Sequence, residues 1–329
     1  MRTFGLGYVI LNVDNLEETL EWYANKFYYN KKFGEFSITG SDGKVIEYKI
    51  LVNPTGGLPI VFRRPMNTRM WDAQEPLLDR LGVLGVKIKT DRVRRLFYDM
   101  KYEGVGIKSG LAFTPPQSES FWLRDSNGMM IQVYGHDDFL RRDSKILSGG
   151  VSGLMIGVTD LDAAIEYYSH YGYTDVIYRG KNVFEDLKAF NNCRREVNRA
   201  ILELEPRKGG LSLFTGITHL DLIEIVPDIS SREIEPDVKG FYKFAFNVQE
   251  IEKGASFLPA LELQTLDNDF VSLVNAQVQY DGEEFYLSEI FSLKFRKVLP
   301  LRIRRNYQIK NVPAYKLNFL LKNAMYNLI

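Results

Sequence analysis

A segment that occurs twice limits the folds open to this chain more than any other sequence feature. Residues 5–29 read GLGYVILNVDNLEETLEWYANKFYY, and residues 151–173 read VSGLMIGVTDLDAAIEYYSHYGY. Each copy has a short apolar run, an Asp-containing turn, and a stretch where apolar and tyrosine residues recur with helical spacing. A repeated strand–helix unit predicts a modular fold, because one such unit cannot bury its apolar faces alone.

Three further extended runs follow the first copy, separated by glycine-rich turns, so the predicted order is strand, helix, strand, strand, strand. The same order fits residues 80–137, where the turn Asp125–Gly128 precedes a closing strand. The second copy of the repeat opens a third unit, with a helix predicted over 161–170 and a looser stretch up to about residue 195, and a fourth unit follows with a helix predicted over 249–259. The sequence therefore predicts an α+β protein of four βαβββ units.

At 329 residues, the length favours about two domains. We predict that consecutive units pair. The predicted limits are a first domain over 1–137 (units 1–70 and 80–137), a linker over 138–149, a second domain over 150–298 (units 150–228 and 238–298), and a basic C-terminal extension over 299–329.

Composition excludes several classes of function. Lys+Arg and Asp+Glu both total 42, so bulk charge favours neither nucleic acid nor a membrane surface as partner. The chain lacks an apolar run long enough to cross a bilayer, and we expect no secretory signal. The single cysteine, Cys193, fits a reducing compartment, so we predict a cytoplasmic protein. The sequence leaves open a homodimer.

Two motifs resemble the vicinal oxygen chelate superfamily, which includes glyoxalase I, bleomycin-resistance proteins and extradiol dioxygenases. One is V-x-D-L-x-x-x-I-x-Y-Y at Val158–Tyr168, with a variant at Val13–Tyr23. The other is D-x-N-G-x-x-I-x-V at Asp125–Val133, similar to the closing turn and strand of the family. The resemblance covers most of residues 4–298. The chain also resembles large bacterial members of the superfamily. It implies units paired into curved sheets around a cleft.

The resemblance also implies where a divalent metal would bind, through His on first strands and Glu on closing strands. This chain carries other residues there: Tyr8, Gly85, Gly153 and Lys243 on the first strands, and Gln132, Asp221 and Lys294 on the closing strands. Lysine and glycine side chains offer no lone pair to a metal at neutral pH. We therefore expect no divalent metal and no other cofactor.

Two groups remain as candidate ligand-binding residues. His219 and Asp221 are two apart and share a face of an ideal strand, as a metal pair or acid–base dyad would. Asp221, Lys243 and Lys294 would form a fixed-charge cluster in one cleft, either binding an anionic ligand or filling a disused site. With Tyr8 and Gln132, these residues complete the set of candidates.

Three functions follow, and the sequence does not decide whether the protein is an enzyme. The first is a metal-independent protein that binds a small organic ligand, with an anion among the choices. The second is a metal-dependent lyase, isomerase or dioxygenase with a shifted site, using His219 with Asp221 or Tyr8 with Gln132. The third is a structural or partner-binding protein whose cleft is closed.

Overall fold

The computed structural model describes most of the first two thirds of the chain and parts of the remainder. The described residues are 3–39, 43, 45–65, 78, 81–139, 145–190, 196–204, 216–225, 240–248, 261–265, 270–281 and 283–289. Cys193, Lys294, the extension over 299–329 and the helix predicted at 249–259 lie outside them.

The strands and helices fall into four successive units. Unit one contains β1 (Thr3–Asn12), α1 (Leu16–Phe27), β2 (Lys31–Thr39), β3 (Val45–Val52) and β4 (Ile60–Arg64). Unit two contains β5 (Gly82–Thr90), α2 (Val93–Tyr102), β6 (Ala112–Thr114), β7 (Ser118–Arg124) and β8 (Met130–Gly135). Unit three contains β9 (Val151–Val158), α3 (Leu161–Ser169), β10 (Asp175–Asn182), a 3-10 turn (Asp186–Ala189), β11 (Val197–Leu204) and β12 (Thr218–Glu224). Unit four contributes β13 (Gly240–Val248), β14 (Leu261–Thr265), β15 (Phe270–Tyr280) and β16 (Glu283–Glu289).

Side chains at the predicted turns cap two of the helices. Asn15 accepts a hydrogen bond from the Glu18 amide at 3.2 Å and donates to the Glu18 carboxylate at 3.1 Å, so α1 begins with a reciprocal cap. Asp160 accepts from the Ala163 amide at 2.9 Å at the start of α3. The repeated segment therefore folds as the sequence predicts, and the α+β class is confirmed.

The sheets pair the units differently from the prediction. Units one and four form a sheet closed into a barrel, in the order β1-β13-β16-β15-β14-β2-β3-β4. Units two and three form an open sheet in the order β10-β11-β12-β9-β5-β8-β7-β6. The predicted pairing of consecutive units into domains 1–137 and 150–298 is wrong, because β1 lies antiparallel to β13 and β5 lies antiparallel to β9. The four first strands look alike in sequence, so their pattern does not say which of them meet.

The segment predicted as a linker joins two strands of one sheet. It runs from β8 to β9, and its C-terminal part is buried. The Ser148 carbonyl accepts hydrogen bonds from Asn53 Nδ2 at 3.3 Å and Thr55 Oγ1 at 2.8 Å. These contacts attach the segment to unit one, so it does not separate two domains.

One hydrophobic core lies between the two sheets. It draws on alternate residues of both, such as Val9 and Phe246 from the barrel and Ile131 and Leu222 from the open sheet. The buried Tyr29 hydroxyl donates to the Leu58 carbonyl at 2.9 Å and accepts from the Val151 amide at 2.7 Å. The core and these bonds hold one face of the open sheet against the barrel, which leaves its opposite face to form a cleft.

Candidate functional site

The face of the open sheet that points away from the core is called the cleft face here. Its side chains alternate with core residues along each strand, as the two-residue period of a strand requires. On β12, for example, Leu220 and Leu222 belong to the core, so His219, Asp221 and Ile223 lie on the cleft face. The His219–Asp221 pair is therefore on one face, as predicted.

One end of the cleft face is filled by apolar side chains. Trp122, Met155 and Ile223 from the sheet pack with residues of the segment that follows β10, including Leu187 and Phe190. The Trp122 and Phe190 rings meet edge to face with centroids 5.1 Å apart. This end of the cleft is closed by the chain itself.

The centre of the cleft face carries four buried charges, called the central network here. Lys87 Nζ lies 2.6 Å from Asp221 Oδ2. Arg199 binds Asp221 at 2.7 and 2.8 Å and Asp186 at 2.9 and 3.0 Å. Gln132 Nε2 donates to Asp186 at 3.0 Å. Two cations balance two carboxylates, as burial of charge demands.

The central network shifts the ionisation of its members. Burial alone would raise the pKa of Asp221, but Arg199 and Lys87 lower it to about 2. Burial lowers the pKa of Lys87, and the charge of Asp221 opposes that effect. Both carboxylate oxygens of Asp221 are occupied by cations, so Asp221 does not bind a metal in this arrangement.

Strand register shows which residues occupy the positions to which the resemblance assigns metal ligands. Lys87 of β5 is level with both Gln132 of β8 and Gly153 of β9, so it takes the first-strand position that the sequence assigned to Gly85. His219 of β12 is level with Gly153. A Cβ at Gly153 would lie 2.6 Å from the His219 carbonyl oxygen, which leaves no room for a histidine there. The central residues therefore do not fit the metal that the resemblance implies.

Beyond the central network, the cleft face ends in a chain of hydrogen bonds between polar side chains. His219 Nε2 lies 2.9 Å from Glu203 Oε2, and His219 Nδ1 lies 3.1 Å from the Tyr134 hydroxyl. The Tyr134 hydroxyl lies 2.8 Å from Ser152 Oγ. Burial lowers the pKa of His219, and the hydrogen bond from His219 lowers the pKa of Glu203. At neutral pH a neutral imidazole therefore faces a carboxylate.

His136 completes this end of the cleft. Its ring centroid lies 5.5 Å from that of His219, and its Nδ1 accepts a hydrogen bond from the Asp138 amide at 3.1 Å. Burial, followed by the neighbouring His219, lowers the pKa of His136. Asp138 also binds the buried Lys89 at 3.3 Å. The histidines come together because β8 ends, and the oppositely directed β12 begins, at the same edge of the sheet.

A cavity of about 820 Å³ opens to solvent at this end of the cleft, and Tyr134, His136, Glu203 and His219 border it. Its apolar walls include Ile177, Ile201 and Pro116, and its polar groups include Tyr134 and His219. Formal charge is balanced along the lining, with four basic residues (Lys87, Arg92, Arg94, Arg95) and four acidic ones (Asp91, Glu119, Asp137, Glu203). The cavity is large enough for a small organic molecule.

The candidate residues from the sequence fall in different places. Gln132, His219 and Asp221 lie on the cleft face, whereas Tyr8 and Lys243 are buried in β1 and β13 of the barrel. The prediction that Asp221 and Lys243 share one charge cluster is wrong, because Lys243 lies in the barrel and Asp221 is paired with Lys87 and Arg199 in the open sheet. Lys294 is outside the described residues. A fixed-charge cluster does exist, built from different cations.

Sequence reasoning missed the residues that hold this site together: Lys87, Tyr134, Asp186, Arg199 and Glu203. One signal was available. In the strand VNRAILEL, Arg199 and Glu203 alternate with core residues, so both were candidates for the cleft face. Asp186 gave no such signal, because it lies in the irregular segment after β10.

Comparison with known proteins supports the fold and leaves the chemistry open. No family model and no curated protein matches the sequence. The structure is similar to glyoxalase I from Zea mays, at 17% identity over 91% of this chain and 95% of that one, with a TM-score of 0.53. It is also similar to a putative dioxygenase from Bacillus subtilis subsp. subtilis str. 168, at 12% identity over 95% of this chain and 98% of that one, with a TM-score of 0.53.

The chain therefore has the fold of the vicinal oxygen chelate superfamily, which confirms the resemblance at the level of the fold. Identities this low carry no information on substrate or reaction, since one fold hosts many activities. In the part of the chain that is described, no helix is both long and apolar enough to span a membrane.

Proposed function

We propose that this protein binds a small organic molecule in the open end of the cleft, without a metal at the centre of the sheet. The observation that carries the proposal is the central network. Lys87 and Arg199 occupy both carboxylate oxygens of Asp221, at a position where the resemblance implies a metal ligand, yet the cleft stays open beyond them. A cluster whose only role was to fill the cleft would give no reason for the cavity of about 820 Å³ next to it.

The lining favours an uncharged ligand with an apolar body and one hydrogen-bonding group. Ile177, Ile201 and Pro116 supply apolar surface, and the group around His219 supplies the polar contacts. Because basic and acidic lining residues are equal in number, charge gives no reason to prefer the anionic ligand that the sequence left open. Lys87, the most buried cation of the lining, is already paired with Asp221.

The alternatives from the sequence have less support. Asp221 has no oxygen free to join His219 in a metal pair, and Tyr8 and Gln132 lie in different sheets. A structural or partner-binding role with a closed cleft agrees with the filled apolar end of the cleft face, but it does not account for the open cavity at the other end. A chain with a single cysteine fits a reducing compartment, so a cytoplasmic location remains part of the proposal.

The test is a binding screen with matched pairs of small carboxylic acids and their amides, followed by ligand-observed NMR. We expect amides to bind with a Kd of about 1 mM or tighter, the usual range for fragments that gain about 4 kcal/mol. Replacing half-buried Ile177, which lines the cavity, with tryptophan should abolish this binding. Val176 is the matched control, because it is the neighbouring exposed residue and lies outside the lining.

Two results would count against this function. If no amide binds, or if Ile177→Trp and Val176→Trp reduce binding equally, the cavity is not the binding site. If only the carboxylic acids bind, the ligand is an anion and the argument from balanced charge is wrong.

A further inference from the structure

Three side chains at the open end of the cleft bring potential metal-ligating atoms together. They are His136, just after β8, Glu203 on β11, and His219 on β12. One nitrogen or carboxylate oxygen from each lies within 4.8 Å of the others. His219 is buried, and the other two are half-buried, so the group borders the cavity without being freely exposed.

The spacing is close to what a transition metal needs. In a tetrahedral zinc site with bonds of about 2.0–2.1 Å, ligand atoms are about 3.3 Å apart. His219 Nε2 and Glu203 Oε2 are 2.9 Å apart, so a metal between them requires a separation of a few tenths of an ångström. Two imidazoles and one carboxylate suit Zn²⁺ and similar divalent ions.

A second contact supports His219 as a ligand. Its Nδ1 is 3.1 Å from the Tyr134 hydroxyl, which is itself 2.8 Å from Ser152 Oγ. When Nε2 binds a metal, Nδ1 carries the proton and needs an acceptor, which the Tyr134 oxygen provides. Such outer contacts fix the ring and its tautomer in metal sites.

We propose that His136, Glu203 and His219 form a site for a divalent transition ion, of which Zn²⁺ is the probe of choice. Three protein ligands would leave a fourth position facing the cavity, the arrangement of metal sites open to an exchangeable ligand. None of the three is a position to which the resemblance assigns a metal ligand. The expectation of no divalent metal was based on Tyr8, Gly153, Gln132 and similar positions, so it did not consider this group.

Neighbouring charges do not block the ion. Lys87 is neutralised by Asp221, and Lys89 by Asp138. His136 is less favourable as a ligand, because its Nδ1 accepts a hydrogen bond from the Asp138 amide. A metal bound to Nε2 would place the single proton of the neutral ring on Nδ1, and that hydrogen bond would then be lost. His136 is therefore the weakest of the three ligands.

The experiment is a calorimetric titration of tag-free, EDTA-treated and dialysed full-length protein with Zn²⁺. We expect one equivalent to bind with a Kd of about 10 µM or tighter, as three protein ligands allow. Glu203→Gln and His219→Gln should each weaken binding by about 100-fold or more, beyond the 10–100-fold typical of outer contacts. Tyr134→Phe should weaken it by about 10-fold, and His136→Gln should cost less than His219→Gln.

Matched controls come from the same chain. His170 is exposed and lies outside the cavity lining, and its ring Nδ1 bonds to backbone carbonyls of its own helix, so His170→Gln should leave binding unchanged. Glu119 lines the same cavity but is paired with Arg94, and Glu119→Gln should likewise have no effect. Thermal melting of each metal-free variant confirms that it is folded. Should His219→Gln unfold, Glu203→Gln decides the result, since it keeps the size of a half-buried side chain.

The proposal is overturned if no Zn²⁺ binds tighter than about 1 mM, the level of weak surface association. It is equally overturned if Glu203→Gln binds as the unchanged protein does. This inference does not rest on the proposed ligand-binding function, because amide binding is measured on metal-free protein and either result can fail alone.

Discussion

Replacing Lys87 with methionine would remove one of two cations from the central network. The Lys87 side chain is 2% exposed, and Asp221, 2.6 Å away, is 0% exposed. After the replacement, Arg199 alone must balance Asp221 and Asp186, and the buried group has a net charge of −1. Methionine keeps the length and apolar stem of lysine, so the main loss is the charge.

The expected cost follows from this burial. Removing one partner of a buried ion pair costs about 3–5 kcal/mol, because the other charge stays buried without compensation. The double variant Lys87→Met with Asp221→Asn restores neutrality. It should therefore be less destabilised than the sum of the single variants, by at least about 1 kcal/mol of coupling.

The assay is urea unfolding at pH 7, followed by circular dichroism, for the two single variants and the double. The control is Arg94→Met, which breaks the exposed contact with Glu119 and should cost less than about 1 kcal/mol. If Lys87→Met costs no more than Arg94→Met, the central network does not stabilise the fold as argued. If the destabilisation of the double variant equals the sum of the destabilisations of the two single variants, Lys87 and Asp221 are not coupled.

Three further predictions concern pH, the contact between the sheets, and a close backbone approach. The pKa of Asp221 falls from its ordinary 3.8 to about 2, so the contribution of Asp221 to stability is present above pH 4 and is lost as pH falls toward 2. Acid titration of the unfolding free energy should therefore show a loss of about 2 kcal/mol, and the variant Asp221→Asn should not show this loss. Tyr29→Phe removes the hydroxyl that bonds to the Val151 amide and to the Leu58 carbonyl, and both groups are buried. Urea unfolding should show a loss of about 1–3 kcal/mol in the free energy of unfolding, and a loss below about 0.5 kcal/mol would contradict this role. Gly153→Ala places a Cβ 2.6 Å from the His219 carbonyl oxygen, so we expect a cost of about 1–3 kcal/mol in urea unfolding and a changed His219 imidazole signal in NMR, whereas an unchanged signal would show that the sheet absorbs the methyl group elsewhere.

Sequence patterns predicted local elements well where an element is amphipathic and capped. Helix α3 begins after Asp160 and ends at Ser169, close to the predicted limits, because one residue both caps the helix and starts its apolar repeat. Strand β10 was missed. It is an edge strand with mostly exposed side chains, so its sequence DVIYRGKN does not alternate between apolar and polar residues.

The candidate site was predictable in its location and much less so in its members. The resemblance assigned Gln132 and Asp221 to the cleft, and strand alternation added His219 to the face of Asp221. The structure places all three on the cleft face. Their partners were not predictable, since Lys87 is 134 positions from Asp221 in sequence. Gly85 pairs with Met155 and Lys87 pairs with Gly153, and this register between β5 and β9 is a property of the sheet that no local pattern reveals.

The sequence by itself determined the four-unit α+β architecture, because each unit repeats a local pattern of caps, alternation and turns. Only the tertiary structure decided which units share a sheet, since four similar first strands offer several equivalent pairings. That choice puts unit two beside unit three, and so brings Lys87 to Asp221 and His136 to His219. The chemistry of the cleft is therefore a product of sheet pairing, whose energy depends on contacts between residues far apart in the chain.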